Sequence, residues 1–190
     1  ILTSQLGEER ILWVMAELAL AEWYPKIVKE KKLDVIGPPE ITITKLAKGN
    51  PLGFKIKTAL VPKLVLPDYQ KIVKEINKSK VKEDTQESRQ KHRLIVIEAL
   101  VKEIAIEIPP ILVNSELEKM MQEMRNDITA MGLKFEDYLI HLKKTEVELK
   151  SNWSNDAKKR IVAWLLLTEI GQAEKLTTIE ETLQFLENLV

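Results

Sequence analysis

Apolar residues in the first part of the chain recur at helical spacing. Ile11, Val14, Met15, Leu18 and Ala19 mark one face of a helix expected over residues 7–31, with Trp13, Trp23 and Tyr24 adding bulk. Pro25 lacks a backbone donor, so a kink or a fresh turn is expected there. Gly37-Pro38-Pro39 is turn chemistry and closes this element. The period then shortens to two. Residues 40–46, Glu-Ile-Thr-Ile-Thr-Lys-Leu, and residues 52–61, Leu-Gly-Phe-Lys-Ile-Lys-Thr-Ala-Leu-Val, alternate apolar and polar positions. Ala47-Lys48-Gly49-Asn50 between them reads as the turn of a β-hairpin. Leu64 to Leu66 is expected to add a short third strand. Two strands alone are marginal in water, so the hairpin must pack on a helix or on another strand.

Residues 71–93 are polar, lysine-rich and net positive, which reads as a solvated linker or the start of a helix. Everything beyond is helical in pattern. Asp84 with Glu87 is the expected cap of a helix whose stripe is Leu94, Ile97, Val101 and Ile104, interrupted at Glu107-Ile108-Pro109-Pro110. The next stripe is Val113, Leu117, Met120, Met124, Ile128 and Met131, with Ser115 and Glu118 as its expected capping box and Gly132 at its left-handed C-terminal position. A short helix over 135–142 follows. Thr145 and Glu148 form another box. Ser154 is placed ahead of an apolar helix over 157–173 carrying Ile161, Trp164, Leu165 and Ile170. Thr177 and Glu180 are the expected cap of a last helix with Leu183, Leu186 and Val190.

Composition narrows the function classes. With 190 residues the chain suffices for one or two domains and a real core. Apolar residues make up 45% and charged residues 31%, which fits neither a disordered nor a membrane-embedded chain. Lys plus Arg equals Asp plus Glu at 29 each, which argues against a globally basic nucleic-acid binder. Cysteine is absent, so neither disulfides nor thiol catalysis enters. No run of about 18 apolar residues exists to span a membrane. Ile1-Leu2-Thr3-Ser4 has neither the basic nor the apolar region of a signal peptide, and the missing initiator Met fits a fragment of a longer product.

Catalytic chemistry is sparse. His92 and His141 lack ligand-spaced partners and are expected at the surface or its boundary. The six glycines form no phosphate-cradling loop, and no nucleophile elbow is present. Carboxylate pairs such as Glu8/Glu9, Glu136/Asp137 and Glu180/Glu181 are adjacent on helices and point about 100° apart, which suits first-turn charge and not convergence on a substrate. No metal and no cofactor is expected. Met120, Met121, Met124 and Met131 cluster on one helix, and flexible, polarizable methionine suits promiscuous apolar surfaces. Met120 and Met124 fall on the core stripe, whereas Met121 lies off it and is the better candidate for an exposed contact. With Phe135, Leu139 and Phe185 these methionines make up the expected client-binding set.

Several segments, taken in order, resemble trigger factor, the ribosome-associated chaperone of bacteria. Residues 29–41, Lys-Glu-Lys-Lys-Leu-Asp-Val-Ile-Gly-Pro-Pro-Glu-Ile, look like a helix end and strand entry of that family's N-terminal domain. Residues 45–54 resemble its hairpin, and residues 61–69 its closing segment. Residues 106–113 followed by Glu116 look like the start of the family's C-terminal arm. Gly132-Leu133, Glu136 to Leu139, Lys144-Thr145-Glu146, residues 157–161 and residues 167–174 continue in family order. The resemblance covers nearly the whole chain. Two features depart from it. The basic ribosome-docking loop and the first strand and helix would lie before Ile1. The family's FKBP-like prolyl isomerase domain, of about a hundred residues, has no room between Tyr69 and Arg89, so no isomerase activity is expected.

The resemblance implies an α+β, mostly helical fold. A partial N-terminal domain of a helix and a β-hairpin spans 1–77, and an all-helical C-terminal arm domain of the type shared with SurA-like chaperones spans 78–190. It implies ATP-independent binding of nascent or unfolded polypeptides in the cytoplasm, without membrane or direct DNA binding, with ribosome docking only through residues ahead of Ile1, and with a homodimer left open. The rival readings are a SurA-like periplasmic chaperone, a helical scaffold for one folded partner, and RNA binding through residues 71–93.

Overall fold

The computed structural model describes residues 2–78 and 85–189, with side chains from residue 7 onward. The chain forms two compact units, Ile1–Val61 and Pro62–Val190.

In the first unit, α1 (Leu2–Glu30) continues as one helix with Pro25 inside it. It ends where Lys32 adopts φ 50° and Leu33 N donates to Val28 O at 3.0 Å, a left-handed cap closed by lysine instead of glycine. The hairpin pairs β1 (Val35–Lys45) with β2 (Gly53–Leu60), Ile41 opposite Ile56 and Ile43 opposite Phe54. β1 starts earlier than the alternation suggests. Gly37-Pro38-Pro39 does not end the unit but sits inside the strand, at the register break between Ile36 and Glu40, because prolines cannot donate to the ladder and are tolerated at a bulge. Ala16, Leu20 and Ala59 are buried. Tyr24 and Thr58 share a hydroxyl hydrogen bond at 2.9 Å, and Lys48 donates to Glu8 at 2.9 Å, tying helix to hairpin. Among the described residues the sheet has two strands. Leu64 and Leu66 form no third strand; they pack on the helical core of the second unit, and Val65 between them is exposed.

The second unit holds α2 (Tyr69–Lys78), α3 (Gln86–Lys102), α4 (Pro110–Ala130), α5 (Phe135–Leu142), α6 (Glu146–Ala173) and α7 (Ile179–Glu187). The described parts of the lysine-rich 71–93 run are thus helical and not a linker. Val73 of α2 joins Val96, Leu100, Leu166, Leu167, Ile170 and Leu186 in one core, on which Tyr69, Ile72 and Ile76 also pack. Residues 62–77, which the family pattern places with the first domain, pack on these helices. The core face of α3 is His92, Val96 and Leu100, so Leu94 is exposed and the expected stripe is rotated. His92 itself is buried, not at the surface, with its Nε2 2.7 Å from Asn77 Oδ1. Asp84 lies outside the described residues; Thr85 caps α3, accepting from Ser88 N at 3.1 Å.

Other boundaries follow local chemistry. Pro110 opens α4 at its first turn, where a missing N–H costs nothing, so Ser115 lies inside the helix and caps nothing. Gly132 at φ 77° closes α4, with Gly132 N donating to Thr129 O and Leu133 N to Ile128 O. The Thr145–Glu148 box starts α6, which continues through Ser154, so one long helix stands where two were expected. The last box is Thr178–Glu181, one residue beyond the expected pair. Val190 lies outside the described residues.

Candidate functional site

The far end of the α4–α5–α6 arm has its own small core. Met121, Ile128, Phe135 and Leu149 are buried there, with Met124, Tyr138, Leu139 and Trp153 packed around them. Arg125 on α4 fastens the three helices. Its guanidinium lies 4.2 Å from the centre of the Phe135 ring and is ion-paired with Glu146 in the first turn of α6. Further along, Lys150 pairs with Glu118, and Arg160 donates to Glu123 at 2.9 Å. This bond holds the Glu123 carboxyl below its ordinary range and raises the Arg160 guanidinium. Crossed pairs of this kind hold the arm's shape more than they stabilise it, since such exposed pairs contribute at most about 1 kcal/mol each.

On this framework the chain leaves large apolar side chains in water. Met131 is 74% exposed, Ile140 74% and Val147 76%, with Leu133 and Leu142 also exposed. They come from the end of α4, the loop after it, α5 and the first turn of α6, and the core beneath uses none of them. Toward the base, a cleft of about 700 Å³ is walled by Val101, Ile104, Ile106, Ile108 and Val162, with Lys158 and Lys159 at its rim.

The expected client-binding residues divide between core and surface. Met131 is exposed. Met120, Met124, Leu139 and Phe185 are half-buried, and Phe185 packs on the main core away from the arm's end. Met121 is the reverse of the expectation: at 2% exposure it is a core residue, and Phe135 is buried beside it. The buried face of α4 keeps Val113, Leu117 and Ile128 of the expected stripe and adds Leu112 and Met121, while Met120 and Met124 are only half-buried. Sequence reasoning missed Leu133, Ile140, Leu142 and Val147, whose signal is weak: single apolar residues in short polar segments.

No catalytic constellation appears among the described residues. Tyr69 donates to Glu174 at 2.6 Å, and burial together with that acceptor raises its hydroxyl above the ordinary range, which makes it a structural tie between α2 and the end of α6. No three His, Asp or Glu side chains gather as a metal site, no buried side-chain polar atom lacks a partner, and no helix is long and apolar enough to cross a membrane, all among the described residues.

Comparison with known proteins fits this geometry. The model of the bacterial trigger factor protein C-terminus matches residues 69–186, and a second model, bacterial trigger factor protein, matches residues 1–93. A trigger factor of Macrococcus caseolyticus is 30% identical, covering 80% of this chain and 39% of its own length. Those of Halalkalibacterium halodurans and Staphylococcus carnosus are 26% and 29% identical, over 84% and 80% of this chain and 40% and 38% of their own lengths. The chain therefore spans about two-fifths of the length of these curated relatives. No solved structure matches it.

Proposed function

The chain belongs to the trigger factor family, and on that premise we propose that it acts as an ATP-independent chaperone that holds unfolded or nascent polypeptide against the apolar end of its helical arm. The observation carrying this reading is the exposure of Met131, Ile140 and Val147 on a segment whose own core is complete without them. These side chains stay in water although the core beneath them is closed, and clustered exposed apolar groups mark surfaces for other chains. Covering one large apolar side chain fully is worth about 1.5–3 kcal/mol. A handful of partly covered contacts therefore gives binding weak enough to release and indifferent to client sequence. The basal cleft with its lysine rim offers a second, more polar foothold.

The reading contains no prolyl isomerase step. The two family matches overlap over residues 69–93, which supports a direct junction of N-terminal and C-terminal parts. Family membership also supports a cytosolic site of action. The test is light scattering by a urea-denatured model client diluted into buffer without nucleotide. Several-fold molar excess of the chain is expected to suppress aggregation, and undiminished scattering at that excess overturns the reading.

A further inference from the structure

The basal cleft of about 700 Å³ lies where the end of α3 and residues 103–109 meet the start of α4 and the middle of α6. Its chemistry is graded. Ser154, Lys158 and Val162 follow one another at i, i+4 and i+8 on α6, so they form one row along the wall: hydroxyl, ammonium, alkyl. Val162 continues into the apolar side made by Val101, Ile104, Ile106 and Ile108. α4 adds the buried Val113 and the exposed amide of Asn114. A second cleft of about 350 Å³ adjoins the polar end and shares Asn114 and Ser154 with the first.

The polar groups of this row are unused. Among the described residues, the side chains of Lys158, Ser154 and Asn114 have no hydrogen-bond or ion-pair partner. Lys159 beside them reaches only Asp156, at 3.8 Å. The other cations of α6 are matched from α4, Lys150 by Glu118 and Arg160 by Glu116 and Glu123. Glu107 is the one acid on the lining against two lysines, so the cleft is left net positive. Such a site suits a ligand that is anionic and apolar within a single residue. Side chains at i and i+4 of a helix lie about 5–6 Å apart, so an anion at Lys158 and an alkyl group at Val162 must hang from nearly the same atom. The last residue of a polypeptide meets this demand when it is aliphatic, because carboxylate and side chain share one Cα. An internal aspartate or glutamate does not, since in an extended chain the neighbouring side chain points to the opposite face. A fatty acid ends in a carboxylate too, but it brings no peptide groups to Asn114 and Ser154.

We propose that the basal cleft binds the free C-terminal carboxylate of a polypeptide ending in an aliphatic residue. Lys158 meets the charge, Asn114 and Ser154 meet the neighbouring peptide groups, and the wall of Ile104, Ile106 and Val162 covers the last side chain. A chain still under synthesis is esterified at that carboxylate and lacks the charge, so the cleft selects released chains. Its use as a second hold on clients rests on the chaperone reading above; its chemistry does not.

Isothermal titration of the full chain with a short acetylated peptide of glycine and serine ending in leucine tests it. The free acid is expected to bind about tenfold tighter than the carboxamide at low salt, a preference that shrinks as salt screens the charge. Lys158→Gln is expected to abolish the preference while carboxamide binding stays as it was, and Lys158→Arg to retain it. Lys158 is exposed, so neither change touches the core. Equal binding of acid and carboxamide overturns the proposal, as does no binding of either, or a preference that survives Lys158→Gln. A carboxamide peptide with an internal aspartate that matches the free acid also overturns it, as does laurate that binds more tightly than the peptide. The titration contains no aggregating client. Its failure therefore leaves the arm end as the client surface, and a failure of the scattering assay leaves the carboxylate site standing.

Discussion

Asn77 donates its Nδ2 to the Leu189 carbonyl at 2.7 Å, so a side chain from α2 closes the C-terminal end of α7. The same amide donates to the Leu186 carbonyl at 3.0 Å, and its Oδ1 accepts from His92 Nε2 at 2.7 Å. The last carbonyls of a helix have no partner of their own. Here a residue more than a hundred positions earlier satisfies them, and it fixes the proton of His92 on Nε2. One residue thus joins α2, α3 and α7 around the main core.

Asn77→Ala should therefore destabilise the second unit well beyond an ordinary surface change. Removing one partner while the others stay buried costs about 1–3 kcal/mol per group left unmatched. Urea unfolding is expected to show a lower midpoint with an unchanged slope. Asn77→Asp keeps an acceptor for His92 but sets a carboxylate oxygen against the Leu186 and Leu189 carbonyls, so it should destabilise at least as much as Asn77→Ala. A midpoint for Asn77→Ala within error of the parent would show that water replaces the amide.

How far the sequence foretold this depended on whether the signal was local. The Thr145–Glu148 box, Gly132 and the 135–142 helix are settled within four residues of chain, and all three were legible. Thr177 and Thr178 both precede a glutamate at a plausible distance, so the box could be misplaced by one. Which face of a helix is buried is a tertiary question. His92 has no ligand-spaced partner in the sequence, which points to the surface or its boundary, yet Asn77 satisfies its ring inside the fold, and that partner lies on another helix. On α1, apolar residues on both sides concealed which side the hairpin covers. On α4 the run of methionines drew attention to Met121, which is core. The exposed arm end rests on Leu133, Ile140 and Val147, isolated residues with no period to betray them.

Gly171 marks a close approach between α6 and α7. A Cβ built there would lie 2.8 Å from Thr182 Oγ1, and Thr182 is itself 1% exposed and donates to the Thr178 carbonyl at 3.1 Å. Gly171→Ala gains helix propensity but overpacks this contact, so a net loss of about 1–3 kcal/mol is expected. Thr182→Ala removes the obstructing hydroxyl. The double variant should consequently be more stable than the sum of the two single effects predicts. Additive thermal-melt results would place the helices farther apart than this contact requires.

Acid should loosen the helix starts first. The Glu148 carboxylate accepts the Thr145 backbone N–H, and Glu181 accepts those of Thr177 and Thr178, which holds both carboxyls below their ordinary range. Glu180 is lowered by its bonds from Arg93. A carboxyl with a depressed folded value favours the folded state when ionised. Its contribution is complete above the unfolded value, about 4.3, and is lost as pH falls through the folded one. Thermal midpoints measured from pH 6 to pH 3 should drop on the acid side, and less steeply in Glu148→Gln/Glu181→Gln. Parallel curves for parent and variant would assign the acid loss to other groups.

The arm end allows binding to be separated from stability. Leu133, Ile140 and Val147 are exposed and lie outside the small core, so replacing all three with serine should leave the melting temperature within about 6 °C, because surface changes typically stay within about 0.5 kcal/mol each. If clients bind as proposed, the same triple change removes much of the apolar area they would meet, and suppression of aggregation is expected to fall several-fold. Phe135→Ala should do the opposite in kind. It empties a core site under the Arg125 guanidinium, and Phe→Ala in a core costs about 3–5 kcal/mol. Its loss of activity should track unfolding of the arm, visible by circular dichroism. If the triple serine variant protects clients as well as the parent does while remaining folded, clients bind elsewhere, and the basal cleft becomes the surface to mutate next.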